Sequence, residues 1–289
     1  MRNNSFPARR SAALLAVSAA LASFLTACSG DSSDGTRDAG GTSSASSTGK
    51  VTLPPVHAGF DYQLGGPTSP PDGVGIVTRD HTASPASGVY NICYVNAFQA
   101  QPDAEQDWDS DLLLHDDSGD VVMDEDWGEA ILDISTAGKR ERIAEKVDGW
   151  IDQCASKGFQ AVDPDNYDSY TRVPDGLLSA DDAKAFLTLL ADHAHEKGLA
   201  IGQKNTVDLA PARKRVGLDF AVVEECGAYD ECGGYVDAFG DHVMVIEYTE
   251  RGLRRACDGW GDDISIVRRD LDLVPEGDSG YLRETCDDL

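Results

Sequence analysis

Short apolar runs that stop abruptly at acidic side chains recur along this chain. Phe159-Gln160-Ala161-Val162 gives way to Asp163-Pro164-Asp165-Asn166, and about 60 residues later Phe220-Ala221-Val222-Val223 gives way to Glu224-Glu225-Cys226. Runs of this kind alternate with helical stretches from residue 56 onward. Candidate strands lie at 58–63, 89–95, 129–134, 160–162, 200–203, 220–223, 242–247 and 265–268. Strands separated by helices read as a parallel sheet, and eight of them predict an α/β fold of the (β/α)8 TIM-barrel kind. Residues 53–289 are near the ~250 typical of one such barrel, and no second linker interrupts them. A single domain over 53–289 is the expectation.

The helices between these runs are legible. Ile143, Val147, Trp150, Ile151 and Cys154 fall at helical spacing and Gly158 follows as a stop. Ser179 with Asp182 forms a capping pair ahead of a stripe of Ala183, Phe186, Leu187 and Leu190, and that helix should end near Gly198. The stretch 67–87 is rich in Pro and Gly and lacks such a stripe, so the first βα unit is expected to be irregular.

The N-terminus is read as an export address rather than as fold. Arg2, Arg9 and Arg10 precede a short apolar segment, 14–25, too short for an ordinary membrane span. Leu25-Thr26-Ala27-Cys28 resembles a lipobox, which would make residues 1–27 a lipoprotein signal and Cys28 the acylated residue. Residues 28–52, rich in Ser, Gly and Thr, read as a flexible tether. The expected location is the outer face of the membrane, held by lipid alone. Setting Cys28 aside leaves Cys93, Cys154, Cys226, Cys232, Cys257 and Cys286. An even number in an exported chain favours three disulfides, out of fifteen pairings. Cys226 with Cys232 would close a small loop, Cys257 with Cys286 would tie down the C-terminal tail, and Cys93 and Cys154 would remain.

Charge excludes one class of partner. The chain carries −27, and removing the three arginines of the signal leaves about −30. A nucleic-acid partner needs a basic surface. A cationic polymer, such as one of amino sugars, would be steered toward an acidic one. No metal is expected: no Cys-x-x-Cys occurs and the six His are scattered. The run from Asp163 starts like a calcium loop, but its fifth position is Tyr167 and its twelfth is Pro174. There is no Gly-x-Ser-x-Gly elbow for an esterase. No cofactor is implied, and a monomer is expected.

Polar residues gather at the strand ends: Asp61, Tyr94 and Asn96, Asp133, Asp163 with Asp165 and Asn166, Lys204 and Asn205, Glu224 and Glu225, Glu247 and Tyr248, Arg268 and Asp270. The C-terminal rim of a parallel barrel is where chemistry sits. Neighbours on a strand point opposite ways, so only one of Glu224 and Glu225 should face the cleft, whereas Asp163 and Asp165 share a face.

Five motifs occur in order: Phe60-Asp61-Tyr62-Gln63-Leu64, Cys93-Tyr94-Val95-Asn96, Asp163-Pro164-Asp165-Asn166-Tyr167-Asp168-Ser169-Tyr170, Gly202-Gln203-Lys204-Asn205, and Glu224-Glu225-Cys226 with Tyr229-Asp230-Glu231-Cys232. Together they resemble the endo-α-1,4-polygalactosaminidase family of glycoside hydrolases, over nearly all of 58–289. Members commonly have Glu-Pro-Asp-Asn where this chain has Asp163 first, and Asn-Glu-Gln-Cys where it has Val223-Glu224-Glu225-Cys226. The resemblance implies a secreted barrel that cuts galactosamine-containing exopolysaccharide, with Asp165 and Glu224 as the catalytic pair. One carboxyl would act as proton donor and the other as nucleophile or base. In that setting Lys204 would bind sugar or hold one acid ionised. Asp61, Asp163, Asn166 and Glu247 would bind hydroxyls or an ammonium group, and Tyr94, Tyr167, Tyr248 and Trp127 would offer faces to pyranose rings. Two other readings are a carbohydrate-binding lipoprotein without catalysis and a hydrolase of a different α-linked glycan.

Overall fold

The computed structural model describes residues 50–289; the run read as an export signal, Cys28 and the run read as a tether, up to residue 49, lie outside the described residues. Eight parallel strands form the barrel: β1 (Gly59–Gln63), β2 (Val74–Asp80), β3 (Tyr90–Asn96), β4 (Ala161–Asp165), β5 (Ala200–Lys204), β6 (Phe220–Glu224), β7 (Val243–Glu247) and β8 (Ser265–Arg269). They pair in chain order from β1 to β8. The seam between β8 and β1 is bridged by side chains. Ala58 N donates to Ser265 Oγ (3.1 Å), and Arg269 donates to Asp61 Oδ1 (3.0 Å) and to the Tyr62 carbonyl.

Two assignments of strands change. The run at 129–134 is not a barrel strand. Its core, Glu129–Ile131, pairs antiparallel with Gln99–Ala100 and Met123–Asp124 in a small sheet inserted between β3 and the first long helix. The eighth barrel strand is instead β2, inside the Pro- and Gly-rich stretch read as helix-poor. No helix occurs in either of the first two connections, so the irregular start of the barrel extends over two units. The C-terminal tail packs across β8 and β1. Arg283–Glu284 pairs antiparallel with β8, Arg269 donates to the carbonyls of Val274 (2.9 Å) and Leu282 (3.0 Å), and Arg283 donates to that of Phe60 (3.1 Å).

The long helices follow the sequence pattern. α1 (Ala137–Lys157) buries Ile143, Val147, Ile151 and Cys154, opens on Thr136, whose side chain accepts from Lys139 N, and closes on Gly158 at φ +93°. Only glycine takes that conformation at no steric cost. Trp150 is half-buried at the edge of the stripe. α2 (Ala180–Glu196) opens on the reciprocal Ser179–Asp182 capping box, a device that contributes about 1 kcal/mol.

Inside the barrel, alternate residues of each strand form one apolar column that includes Phe60, Ile76, Ile92, Phe220, Ile246 and Val267. The other residues face the helices. The folded part begins slightly before residue 53: Val51 packs on the interior column, and Tyr90 Oη donates to the Thr52 carbonyl (2.6 Å). The three disulfides are Cys93–Cys154, which staples β3 to α1, Cys226–Cys232, and Cys257–Cys286, which anchors the tail. Closing a loop as long as the first contributes roughly 4 kcal/mol in the chain-entropy account.

Candidate active site

The inward positions of the strands turn from apolar to polar at the C-terminal rim. Above Phe60 comes Tyr62; above Tyr90 and Ile92 comes Tyr94; above Ala161 come Asp163 and Asp165. Lys204 tops β5, Glu224 tops β6 above Phe220 and Val222, and Tyr248 follows Met244 and Ile246. The pleat thus delivers six strands' side chains to one point.

Lys204 is the hub. It is 2% exposed, and its ammonium lies 3.0 Å from Asp165 Oδ1 and 3.4 Å from Glu224 Oε2. The sum of those distances, about 6.4 Å, is the widest separation those two oxygens can have. Lys204 also donates to Tyr62 Oη (3.0 Å), and its ammonium sits 5.5 Å from the Tyr62 ring and 5.6 Å from the Tyr94 ring. Asp165 accepts from Asn166 N (2.7 Å) and from Tyr94. Glu224 accepts from Tyr248 Oη and from Asn205 Nδ2 (3.1 Å), and its own N–H donates to Asn205 Oδ1 (2.8 Å). Glu225 leaves the strand in a left-handed conformation, φ +58°, so the Glu224–Glu225 pair splits and only Glu224 enters the cluster.

Electrostatics separate the acids. Burial would raise Asp165, but the Lys204 charge, aided by the Asn166, Tyr94 and Lys204 hydrogen bonds, holds it below the usual carboxylate range. Burial would likewise discharge Lys204, but the charges of Asp165, Glu224 and Asp163 outweigh it and push the ammonium well above its ordinary value. Asp163, fully buried below Asp165, is raised to about 7 by burial, with Asp165 and Glu224 adding to the rise and Lys204 opposing it. Neither of its carboxyl oxygens has a hydrogen-bond partner among the described residues.

Other residues named from sequence lie elsewhere. Asp61 has outward parity and forms a buried ion pair with Arg269 (3.0 Å), joined by Gln63 and Arg79. Glu247 also points outward. Its Oε1 accepts from Gly227 N (2.7 Å), and Gly252 packs so close that a Cβ there would meet Oε2 at 1.9 Å. It locks two helices rather than lining the mouth. Tyr167 is core, tilted against Phe98 at 5.8 Å. Asn166, at φ +68°, joins Asn96 (2.9 Å) and Arg172 (3.2 Å) in a polar network beside the cluster. Trp127 is 61% exposed at the turn of the inserted sheet. Asp133 pairs with Lys139 at the start of α1. Two cluster members escaped the sequence reading of the site, Tyr62 and, at its edge, Glu129, and Asn205 was placed at the rim without a role. Tyr62 was readable from its parity with Phe60. Glu129 accepts from Asn96 Nδ2 (2.9 Å), and burial, with Asp165 and Asp124 adding their repulsion, raises it to about 7.

No group of side chains suited to hold a metal ion occurs among the described residues. Two carboxylates over one ammonium at a barrel mouth are suited to acid-assisted displacement at an acetal carbon.

The sequence model of glycoside-hydrolase family GH114 matches residues 40–289. The chain belongs to that family. As a GH114 member it is a glycoside hydrolase. It is similar to Aspergillus fumigatus Ega3, solved in complex with galactosamine, at 25% identity and a TM-score of 0.67, over 82% of this chain and 98% of that one. The glycoside hydrolase domain of PelA from Pseudomonas aeruginosa shares the fold at 15% identity and a TM-score of 0.51, over 76% and 98% of the two chains. No curated protein sequence matches this GH114 chain.

Proposed function

We propose that this GH114 protein hydrolyses the α-1,4 linkages of a galactosamine-containing exopolysaccharide, with retention of configuration. The observation that carries the reading is the ammonium shared by Asp165 and Glu224. Those two oxygens lie no more than about 6.4 Å apart, close enough to flank one linkage and compatible with the ~5–5.5 Å carboxyl spacing of a covalent route. Asp165, held ionised, attacks the anomeric carbon. Glu224 gives its proton to the departing glycosidic oxygen as that bond breaks. Water then enters, gives its proton to Glu224, and its oxygen displaces the Asp165 carboxylate from the sugar. Lys204 gives the sequence its electrostatic continuity. When Asp165 becomes an ester and loses its charge, the Glu224 carboxylate, 3.4 Å away, still faces the ammonium.

The amino-sugar assignment is supported by the similarity to Ega3, by the net charge of −27, and by a further acid, Glu129, at the edge of the site. A fully acetylated polymer would present no ammonium groups to that field. The test is incubation with α-1,4-linked galactosamine polymer, partly and fully acetylated, with products followed by mass spectrometry and early-time NMR. The expected outcome is oligosaccharides from the partly acetylated substrate and not from the fully acetylated one, released first as the α anomer. Release of the β anomer would overturn retention, and cleavage of neutral α-glycans alone would overturn the substrate.

Export and lipid anchoring through Cys28 belong to the same reading, supported by the lipobox-like run and the tether composition. Cells fed a labelled fatty acid should label the wild-type protein and leave Cys28→Ser unlabelled; equal labelling of both would sink the assignment.

A further inference from the structure

Beside the acid cluster, in the flank left open by the absent helix between β2 and β3, lies a cavity of ≈480 Å³. That is within the ~300–1,000 Å³ of small-ligand sites. Its wall and the catalytic mouth share a residue. Asn96 lines the cavity and ends β3 in register with Asp165, and its Oδ1 accepts from Asn166, whose N–H donates to Asp165.

Two buried polar atoms on the cavity lining have no partner among the described residues: Gln99 Oε1 and His81 Nδ1. Gln99 is 1% exposed, and its amide nitrogen is engaged by Ser169 Oγ (2.9 Å) and Asp124 Oδ2 (3.2 Å). Those two bonds fix the carboxamide and leave its oxygen for the cavity. A buried acceptor left bare costs about 1–3 kcal/mol, which a ligand hydroxyl or amine would recover. Burial, against the pull of Asp80, holds His81 below its ordinary value and keeps the ring uncharged at neutral pH.

The remaining wall is aromatic and fixed. Trp108 and Trp150 meet edge to face at 6.0 Å; His81 stacks on Trp150 at 5.3 Å and the Lys146 ammonium covers Trp108 at 4.0 Å. Asp80 and Asp107 also line the space and disfavour an anion. Neutral polar atoms, two carboxylates offset in part by the Lys146 ammonium, and an aromatic wall suit a hydroxylated ring. We propose that this cavity is a distal sugar-binding subsite, which holds a pyranose of the same glycan chain beyond the units that flank the cleaved linkage. The proposal rests on the catalytic reading above.

The experiment uses the full chain carrying Asp165→Asn, so that substrate survives. Galactosamine oligomers from three to about ten units are titrated by calorimetry into this protein, with and without His81→Ala or Gln101→Phe. Gln101 is an exposed lining residue, so its replacement fills the cavity without touching the core. Affinity should climb with chain length in the parent and lose about tenfold of that gain in both variants. In otherwise wild-type protein, the ratio of kcat/KM for long over short oligomers should fall by the same factor. If both variants, folded by circular dichroism, keep the parent's length dependence, the subsite is overturned. If no oligomer of any length binds, the substrate reading falls and takes the subsite with it. If long oligomers bind with the His81-dependent gain but wild type leaves them uncut, the subsite stands and the cleavage reading falls.

Discussion

Asp165→Asn binds the glycan and does not cut it. Asparagine preserves shape and can still accept from Asn166 N, and Lys204 keeps Glu224 as partner, so the mouth stays assembled. What is lost is the electron pair that forms the bond to the anomeric carbon. The turnover number should fall by about four powers of ten, with the binding constant changed by less than about tenfold. Two further variants distinguish a nucleophile from a base. Asp165→Ala supplied with azide should regain turnover of an activated aryl glycoside and yield the β-glycosyl azide, because the small anion enters from the face the carboxylate vacated. Glu224→Gln should lose polymer cleavage yet still release a good aryl leaving group in a burst, since such a group departs without a proton. If Asp165→Asn retains more than about a hundredth of wild-type turnover, Asp165 is not the nucleophile, and the assignment of both acids must be redrawn.

How much of this was legible depends on the pleat. Within a strand, side chains alternate faces, so the inward sets Phe60/Tyr62, Ala161/Asp163/Asp165 and Phe220/Val222/Glu224 follow from parity alone. The same parity sends Asp61 and Glu247 outward, which a reading based on strand-end position passes over. Past the strand end the rule fails. Asn166 and Glu225 adopt positive φ, and each turns the following chain in a way that no periodicity records. Tyr167, one residue on, becomes core. β2 was hidden because Val74-Gly75-Ile76-Val77 sits among prolines and glycines that read as loop, while the apolar run at 129–134 is buried by an inserted sheet rather than by the barrel. Hydrophobicity reports burial and not which layer does the burying. The disulfides were legible only as possibilities, since the distances that select one pairing belong to the fold.

Lys204→Met removes the ammonium and leaves three acids in one pocket. The sign of its effect with pH can be worked out group by group. In the wild type, Asp165 lies below its unfolded value, so its contribution is present above that value and is lost as pH falls through the folded one. Asp163, Glu129 and Glu247, each raised to about 7 with burial the largest cause, act the other way. Between about pH 4 and 7 the unfolded chain has released their protons while the fold still holds them, so stability declines as pH rises through that window. Without Lys204, Asp165 loses the charge that depresses it and rises under burial and repulsion, and Asp163 loses its one opposing influence and rises further. Breaking a buried pair from one side costs ~3–5 kcal/mol, here at pH 7.5, where the acids are driven to ionise. Near pH 4 they keep their protons and most of that penalty vanishes. The variant should therefore melt about 10 °C below wild type at pH 7.5, with the two curves converging toward pH 4. Its residual activity should fall roughly a thousandfold, with the acidic limb of the rate profile displaced upward, because Asp165 must now ionise unaided before it can attack. A melting deficit that stays constant across this range, or an acidic limb that does not move, would mean that Lys204 is not what keeps Asp165 charged.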